Sequence, residues 1–207
     1  MGEVLWLGLL LGVGSGLSVG PIFLTIVSDA ARGGIGSAVR VILGSAAADV
    51  ALIFPALAAS WLLSAVAAAS LWVAVAGAAV FVYLALGAAL QCVRLVRRQD
   101  APPPQERWGF WKGVLGNVGN PLSWTFWLAT GTPTMLQAGR AAGAAGVAAF
   151  TVTWFASAMA IEAGVAVAAA RAGRMLGPRG LAVVSAISAA LFLGIAARLL
   201  LSGLHPG

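Results

Sequence analysis

Gly8-Leu9-Leu10-Leu11-Gly12-Val13-Gly14-Ser15-Gly16-Leu17-Ser18-Val19-Gly20-Pro21-Ile22-Phe23-Leu24-Thr25 is an apolar run with glycine at every fourth position and a proline at once after the last. That spacing puts Gly8, Gly12, Gly16 and Gly20 on one helical face, where a neighbouring backbone can approach closely. Pro21 removes a backbone donor and its ring clashes with the preceding turn. A helix broken at Gly20-Pro21 inside a bilayer leaves backbone groups that only protein or a wet cavity can satisfy. Half of a substrate site is one reading of the break. A simple kink is the other, because proline and glycine are common in membrane helices.

The composition around that stretch is of the same kind. Of 207 residues, 61% are hydrophobic and 9% charged, and the mean hydropathy is +0.99. Long uncharged apolar runs mean membrane spans. The chain is therefore expected to be all-α and integral to the membrane, as a single domain over 1–207. The net charge of +6 reads as an orientation signal and not as a nucleic-acid footprint. Cys92 is the only cysteine, so no internal disulfide or redox pair is available. Glu3 is the only early charge, which argues against a cleaved secretory leader and for a first span.

A span needs about 20 mostly apolar residues. Six are expected, over 4–27, 39–61, 68–92, 113–135, 143–169 and 180–202. Basic residues alternate between the loops. Arg32 and Arg40 follow span one, Arg94, Arg97, Arg98, Arg107 and Lys112 follow span three, and Arg171, Arg174 and Arg179 follow span five. The loop after span four holds only Arg140, and the loop after span two holds none. The positive-inside rule places the odd loops in the cytoplasm and both termini outside, in a multi-pass membrane protein. Trp6, Trp61, Trp72, Trp108 and Trp111 fall at span ends, as an interfacial belt does. Trp124, Trp127 and Trp154 lie deep in spans four and five, where core packing competes with a substrate wall.

The basic, proline-rich loop 94–112 divides the chain into repeat one, 1–93, and repeat two, 113–207. Three spans in each half give the halves opposite topology. The second half opens with Gly116-Asn117-Val118-Gly119-Asn120-Pro121-Leu122-Ser123-Trp124-Thr125, beside Gly16-Leu17-Ser18-Val19-Gly20-Pro21-Ile22-Phe23-Leu24-Thr25 in the first. Both proline breaks fall in the first span of their half. Paired interrupted helices in inverted repeats point to a transporter site.

Two acids lie within the expected spans, Asp49 in span two and Glu162 in span five. A carboxylate in the membrane is costly unless it faces a cavity or a partner. It can hold a substrate ammonium group or exchange a coupling proton. The alternative is a structural ion pair with Arg40 or Arg171 drawn inward. Glu162 is placed nearer the cytoplasmic edge than Asp49, and Asp29 is read as a loop residue beside Arg32. A half-helix N-terminus favours a carboxylate, and freed carbonyls favour an ammonium. Gly20, Pro21, Asn117, Asn120, Pro121, Ser18, Ser123, Thr25 and Trp124 complete the candidate substrate-binding set with Asp49 and Glu162. Serine and threonine can instead bond their own helix backbone, and asparagine before proline can simply end a turn. No enzyme constellation, metal cluster or phosphate-cradling loop is found, so no cofactor is called for.

The residues Gly20-Pro21, Ala31-Arg32-Gly33-Gly34-Ile35-Gly36 and Gly44 through Asp49 resemble the LysE/RhtB family of amino-acid exporters. The segment from Gly113 to Trp124, with Asn117 and Asn120-Pro121, is similar to that family's second signature. The stretch from Trp72 to Gln91, with Gly77, Tyr83, Leu84 and Gly87, is similar to its third span. Val19 stands where the family usually has a proline, and Ala158 stands where an acid is often found earlier in the fifth span, with Glu162 offered instead. The resemblance implies export of amino acids or close analogues against a proton gradient.

The expectation is a six-span exporter of two inverted three-helix repeats, with interrupted helices one and four, working by alternating access. Its partners are a small amino-acid-like solute and the lipid bilayer, with no nucleic acid. The glycine face packs on another helix, within the protomer or across a homodimer. The rival readings are an exporter of another small solute, such as a metal cation, and a non-transporting membrane subunit.

Overall fold

The computed structural model describes residues 1–18, 20–59, 75, 78–79, 82–83, 85–90, 92–97, 108–175 and 178–204. All regular structure among the described residues is helical. Helix α1 (Gly2–Leu17) ends at Ser18, and α2 (Pro21–Gly33) begins after Gly20 at an angle of 63° to it. Pro21 takes the first helical position, where its missing N–H is no loss. Gly34 ends α2 with φ 75° and ψ −175°, a conformation essentially reserved for glycine. Helix α3 (Ile35–Ala59) follows directly.

The second half opens in the same manner. Helix α4 (Trp108–Val118) stops at Gly119–Asn120, and α5 (Pro121–Phe126) restarts at a proline. A π-helical turn (Trp127–Gly131) leads into α6 (Thr132–Met175). Helix α6 is not straight: Ala142 and Gly143 leave helical geometry, Gly143 with φ 60° and ψ −150°. In a continuous helix residues 138 and 146 would sit about 12 Å apart. Here a Cβ on Gly146 would collide with the Ala138 carbonyl, so the chain folds back at Gly143 into two arms. Helix α7 (Pro178–Leu204) closes the described chain.

Among the described residues, helices run through the positions expected for spans one, two, four, five and six, interrupted in spans one and four at the two breaks. Span three lies largely outside the described residues, and those of its residues that are described are helical. Ala78 and Ala85 from it pack with Phe192 and Ala196 of α7. The expected positions of Trp61 and Trp72, and the proline-rich part of the 94–112 loop, also lie outside the described residues. Among the described residues, Ile35–Ala58 and Leu122–Met175 are long and apolar enough to cross a membrane, and the bent pair α1 with α2 makes a third.

Two glycine seams hold the bundle together. A Cβ on Gly8 would stand 3.0 Å from the Phe150 carbonyl, one on Gly12 2.5 Å from the Trp154 carbonyl, and one on Gly16 2.8 Å from the Ala158 carbonyl. Further along, Gly173 abuts Ala31 of α2. These pairs keep one sequence interval, so the whole broken helix runs parallel to the second arm of α6. Gly20 does not belong to this face: its nearest neighbours would be 3.9 Å away or more, and it borders a cavity instead. The second seam joins α3 to α4. A Cβ on Gly44 would strike the Phe110 carbonyl, one on Gly113 would lie 2.8 Å from the Ser45 amide nitrogen, and one on Gly109 3.1 Å from the Arg40 Cβ.

The bundle therefore has a Gly34 end and a Gly143 end. Thirteen residues of α2 separate the first break from the Gly34 end, about 20 Å at 1.5 Å per residue. Eleven residues of α4 separate the second break from the same end, roughly 17 Å. Both breaks thus meet at nearly one level. Toward the Gly143 end the bundle is filled by Val4, Leu52, Ala56, Trp127, Phe150 and Trp154. Toward the Gly34 end it is filled by Ile22, Ile26, Ala30, Val41, Ile42 and Ala166.

The Gly34 end also corrects one expectation. Asp29 is not a loop residue but a helical residue of α2, with its side chain 3% exposed. Lys112 Nζ of α4 donates to Asp29 Oδ2 at 2.9 Å, and Arg32 Nη2 donates to Oδ1 at 3.1 Å. Ser37 of α3 adds a longer contact of 3.5 Å. A buried carboxylate needs such partners, and it finds the main one in the other half of the chain.

Candidate transport site

Between the two filled ends lies a cavity of about 350 Å³, at the level of both helix breaks. Such a volume lies at the lower end of the range for small-molecule sites. Its walls come from both halves. Helices α1 and α2 supply Ser15, Ser18, Gly20 and Phe23, and α3 supplies Ser45 and Asp49. Helices α4 and α5 supply Asn117, Asn120 and Ser123, the following turn supplies Thr130, and α6 supplies Glu162.

The second break is satisfied by its own side chains. Asn120 Oδ1 accepts from the Leu122 N–H at 3.1 Å, which caps α5. Asn120 Nδ2 donates to Ser123 Oγ at 3.1 Å, and the Ser123 hydroxyl donates to Asn117 Oδ1. Asn117 Nδ2 donates to the Ser45 carbonyl at 2.9 Å, anchoring the network on α3. Trp124 Nε1 donates to the Val118 carbonyl at 2.7 Å, which occupies another acceptor freed by the break. Trp124 does not line the cavity. The side chain of Pro121 lies outside the described residues, and its backbone opens α5.

The first break has no such network. No side chain caps α2, and Ser18 and Gly20 face the cavity. Thr25 is buried and donates to the Pro21 carbonyl at 2.8 Å. Its hydroxyl thus serves its own helix, and neither Thr25 nor Pro21 lines the cavity.

The two acids face the same space. Asp49 is half-buried, and its Oδ1 accepts a hydrogen bond of 2.8 Å from Trp127 Nε1. Glu162, also half-buried, has no hydrogen bond or ion pair with the described residues. Among the described residues no lysine, arginine or histidine lines the cavity. Two carboxylates without a base favour a cation, a shared proton or both. The arginines proposed as inward partners do not line this space. Glu162, placed by its sequence position near the end of a span, joins Asp49 at the level of the breaks. Among the described residues there is no cluster of three or more histidine, cysteine, aspartate and glutamate side chains suited to a metal ion.

Ser45 and Thr130 line the cavity without having been expected there, and Trp127, read as core packing or a substrate wall, packs in the core and reaches the site through Asp49. Ser45 precedes Asp49 by one helical turn, so the two share a face. Trp127 carries a polar N–H on a buried ring, and its partner is Asp49.

Apolar helices, two interrupted helices and a polar cavity where they meet define a membrane translocator. The LysE type translocator family model matches residues 15–203, and the chain belongs to that family. No curated protein and no solved structure matches it. The protein is thus a multi-pass membrane translocator of small solutes.

Proposed function

We propose that the protein is a secondary exporter of an amino acid or a closely related cationic or zwitterionic metabolite. One observation carries this reading: a cavity at the junction of both helix breaks holds two carboxylates and, among the described residues, no base. The substrate ammonium is met by Asp49 and Glu162. Its carboxylate is met by the uncapped start of α2, where free N–H groups and the helix dipole favour negative charge. Ser18 and Gly20 line that end, while Asn117, Asn120 and Ser123 shape the opposite wall. The same two acids exchange the coupling proton.

Alternating access follows from an inverted repeat of six spans. The seams support it: span one of repeat one packs on span two of repeat two, and span one of repeat two packs on span two of repeat one. Exchanging the halves exchanges the seams. The Gly34 end faces the cytoplasm, since Arg32, Lys112, Arg171 and Arg174 lie toward it. Both termini are then outside the bacterial inner membrane.

The test is uptake of radiolabelled lysine and threonine into inside-out membrane vesicles with an imposed proton gradient. Gradient-driven uptake of either supports the reading. A divalent cation carried in their place would establish the metal-export reading. Vesicles that carry neither solute would leave the chain as a non-transporting subunit.

A further inference from the structure

Phe126, Trp127, Trp154 and Phe155 form one aromatic cluster on the Gly143 side of the cavity. Trp127 lies at its centre, 1% exposed, with ring centroids 5.2 Å from Phe126, 4.8 Å from Trp154 and 6.4 Å from Phe155. Three independent features place its ring. The π-helical turn begins at Trp127, and the Thr132 N–H donates to the Trp127 carbonyl five residues back. Such turns insert a residue and are frequent at functional sites. At the far end of that turn is Gly131, where a Cβ would come within 2.6 Å of Trp127 Cε3 and 2.9 Å of Phe126 Cε1. Lastly, the indole Nε1 of Trp127 donates to Asp49 Oδ1 across the two halves at 2.8 Å.

Trp154 supplies an internal comparison. It packs edge-on against Trp127 in the same cluster and is as deeply buried, yet its Nε1 has no partner among the described residues. Packing in this cluster thus tolerates an unpaired indole. At Trp127 the partner that the indole does find is a carboxylate that lines the cavity.

We propose that Trp127 is the positioning residue of the site: its N–H orients Asp49, and its ring ties that acid to the aromatic plug at the Gly143 end. Loading Asp49 with a cation or a proton weakens its hold on the indole. The plug then loosens on the side through which the solute leaves. This rests on the reading of Asp49 as a transport residue.

The test separates the two claims. Phe23 lines the cavity, so Phe23→Cys in a Cys92→Ser background reports access from outside to a membrane-impermeant maleimide, whatever solute is carried. Trp127→Phe removes the donor and keeps an aromatic ring. Losing a bond to a charged group is expected to raise labelling about ten-fold. Asp49→Asn keeps an acceptor for the indole but not the charge, so it should raise labelling less than Trp127→Phe does, and the double variant no further than Trp127→Phe alone. Trp154→Phe should stay within about two-fold of the parent, since no hydrogen bond is lost. Gly131→Ala, which displaces the ring without altering it, should act as Trp127→Phe does and serves if that variant is poorly made. In export, Trp127→Phe should raise KM more than it lowers kcat. Equal effects of Trp127→Phe and Trp154→Phe would reduce the cluster to packing and overturn the proposal. So would unchanged labelling in Trp127→Phe. If labelling follows the expected pattern but Asp49→Asn exports normally, the bond is real, and the reading of Asp49 is what fails, taking the positioning role with it.

Discussion

The two helix breaks look alike in sequence and differ in what they keep for themselves. At Gly119–Asn120 the freed groups are consumed by Asn117, Asn120, Ser123 and Trp124, in a network that reaches α3. At Ser18–Gly20 no side chain caps the new helix, and the break borders the cavity. A polar group in an apolar setting that bonds to its neighbour is a scaffold, while one that does not is free to meet a solute. On the proposed reading the second break is the wall of the site, and the first supplies its open donors.

The largest effect is expected where the first break is held in place. Gly16→Leu forces a side chain to within 2.8 Å of the Ala158 carbonyl, where there is no room for it. Overpacking of this kind costs about 1–3 kcal/mol, and more when backbone must move. Little folded protein should be recovered by size exclusion, whereas Leu10→Ala should be recovered at near-normal yield. Gly44→Leu, on the α3–α4 seam, should match Gly16→Leu. A mild Gly44→Leu would mean that the two seams are not equivalents and would weaken the case for exchanged halves.

A smaller effect sharpens the difference between the breaks. Asn120→Ala removes the cap of α5 and should lower stability by about 1 kcal/mol, read as a lower melting temperature in detergent. Ser18→Ala removes no cap and should stay within about 0.5 kcal/mol of the parent, yet lower the export rate. Equal losses of stability would show that the first break is as self-contained as the second.

A further effect, comparable in size, concerns the turns. Gly34→Ala and Gly143→Ala each force a side chain into a backbone conformation that glycine alone adopts readily, at about 1–3 kcal/mol for the isolated residue. Neither glycine has a neighbour within reach of the added Cβ, so no clash adds to that backbone strain. Similar shifts in melting temperature at both positions would fit turns with a common role in the two halves.

Much of the frame was legible in the sequence because membrane helices are specified by local features. Apolar run length located the helices, and proline placed both breaks to the residue. The four-residue glycine spacing marked the face of α1 that meets α6, although Gly20 continues the spacing without sharing the contact. Long-range pairing was not legible. Asp29 and Arg32 stand three apart, as an exposed helical pair would, and nothing nearby announces that Lys112 completes the site from the other half. Glu162 reached the level of the breaks because the Gly143 turn sets the register of the second α6 arm, and no local pattern encodes that register. Thr25 and Trp124 were sensible as ligands by type, but each has a nearby backbone carbonyl that its donor reaches first.

The central claim is that the two broken helices build one site around Asp49 and Glu162. Asparagine in place of Asp49 keeps size and one acceptor oxygen for Trp127 but carries no charge and exchanges no proton near neutral pH. The most direct measurement is therefore the export rate of Asp49→Asn protein in proteoliposomes at several external pH values, on protein shown to be intact by size exclusion. The account predicts a normally sized protein whose export is lost at every pH. A normally sized protein exporting at the parental rate, with the parental response to pH, would contradict it.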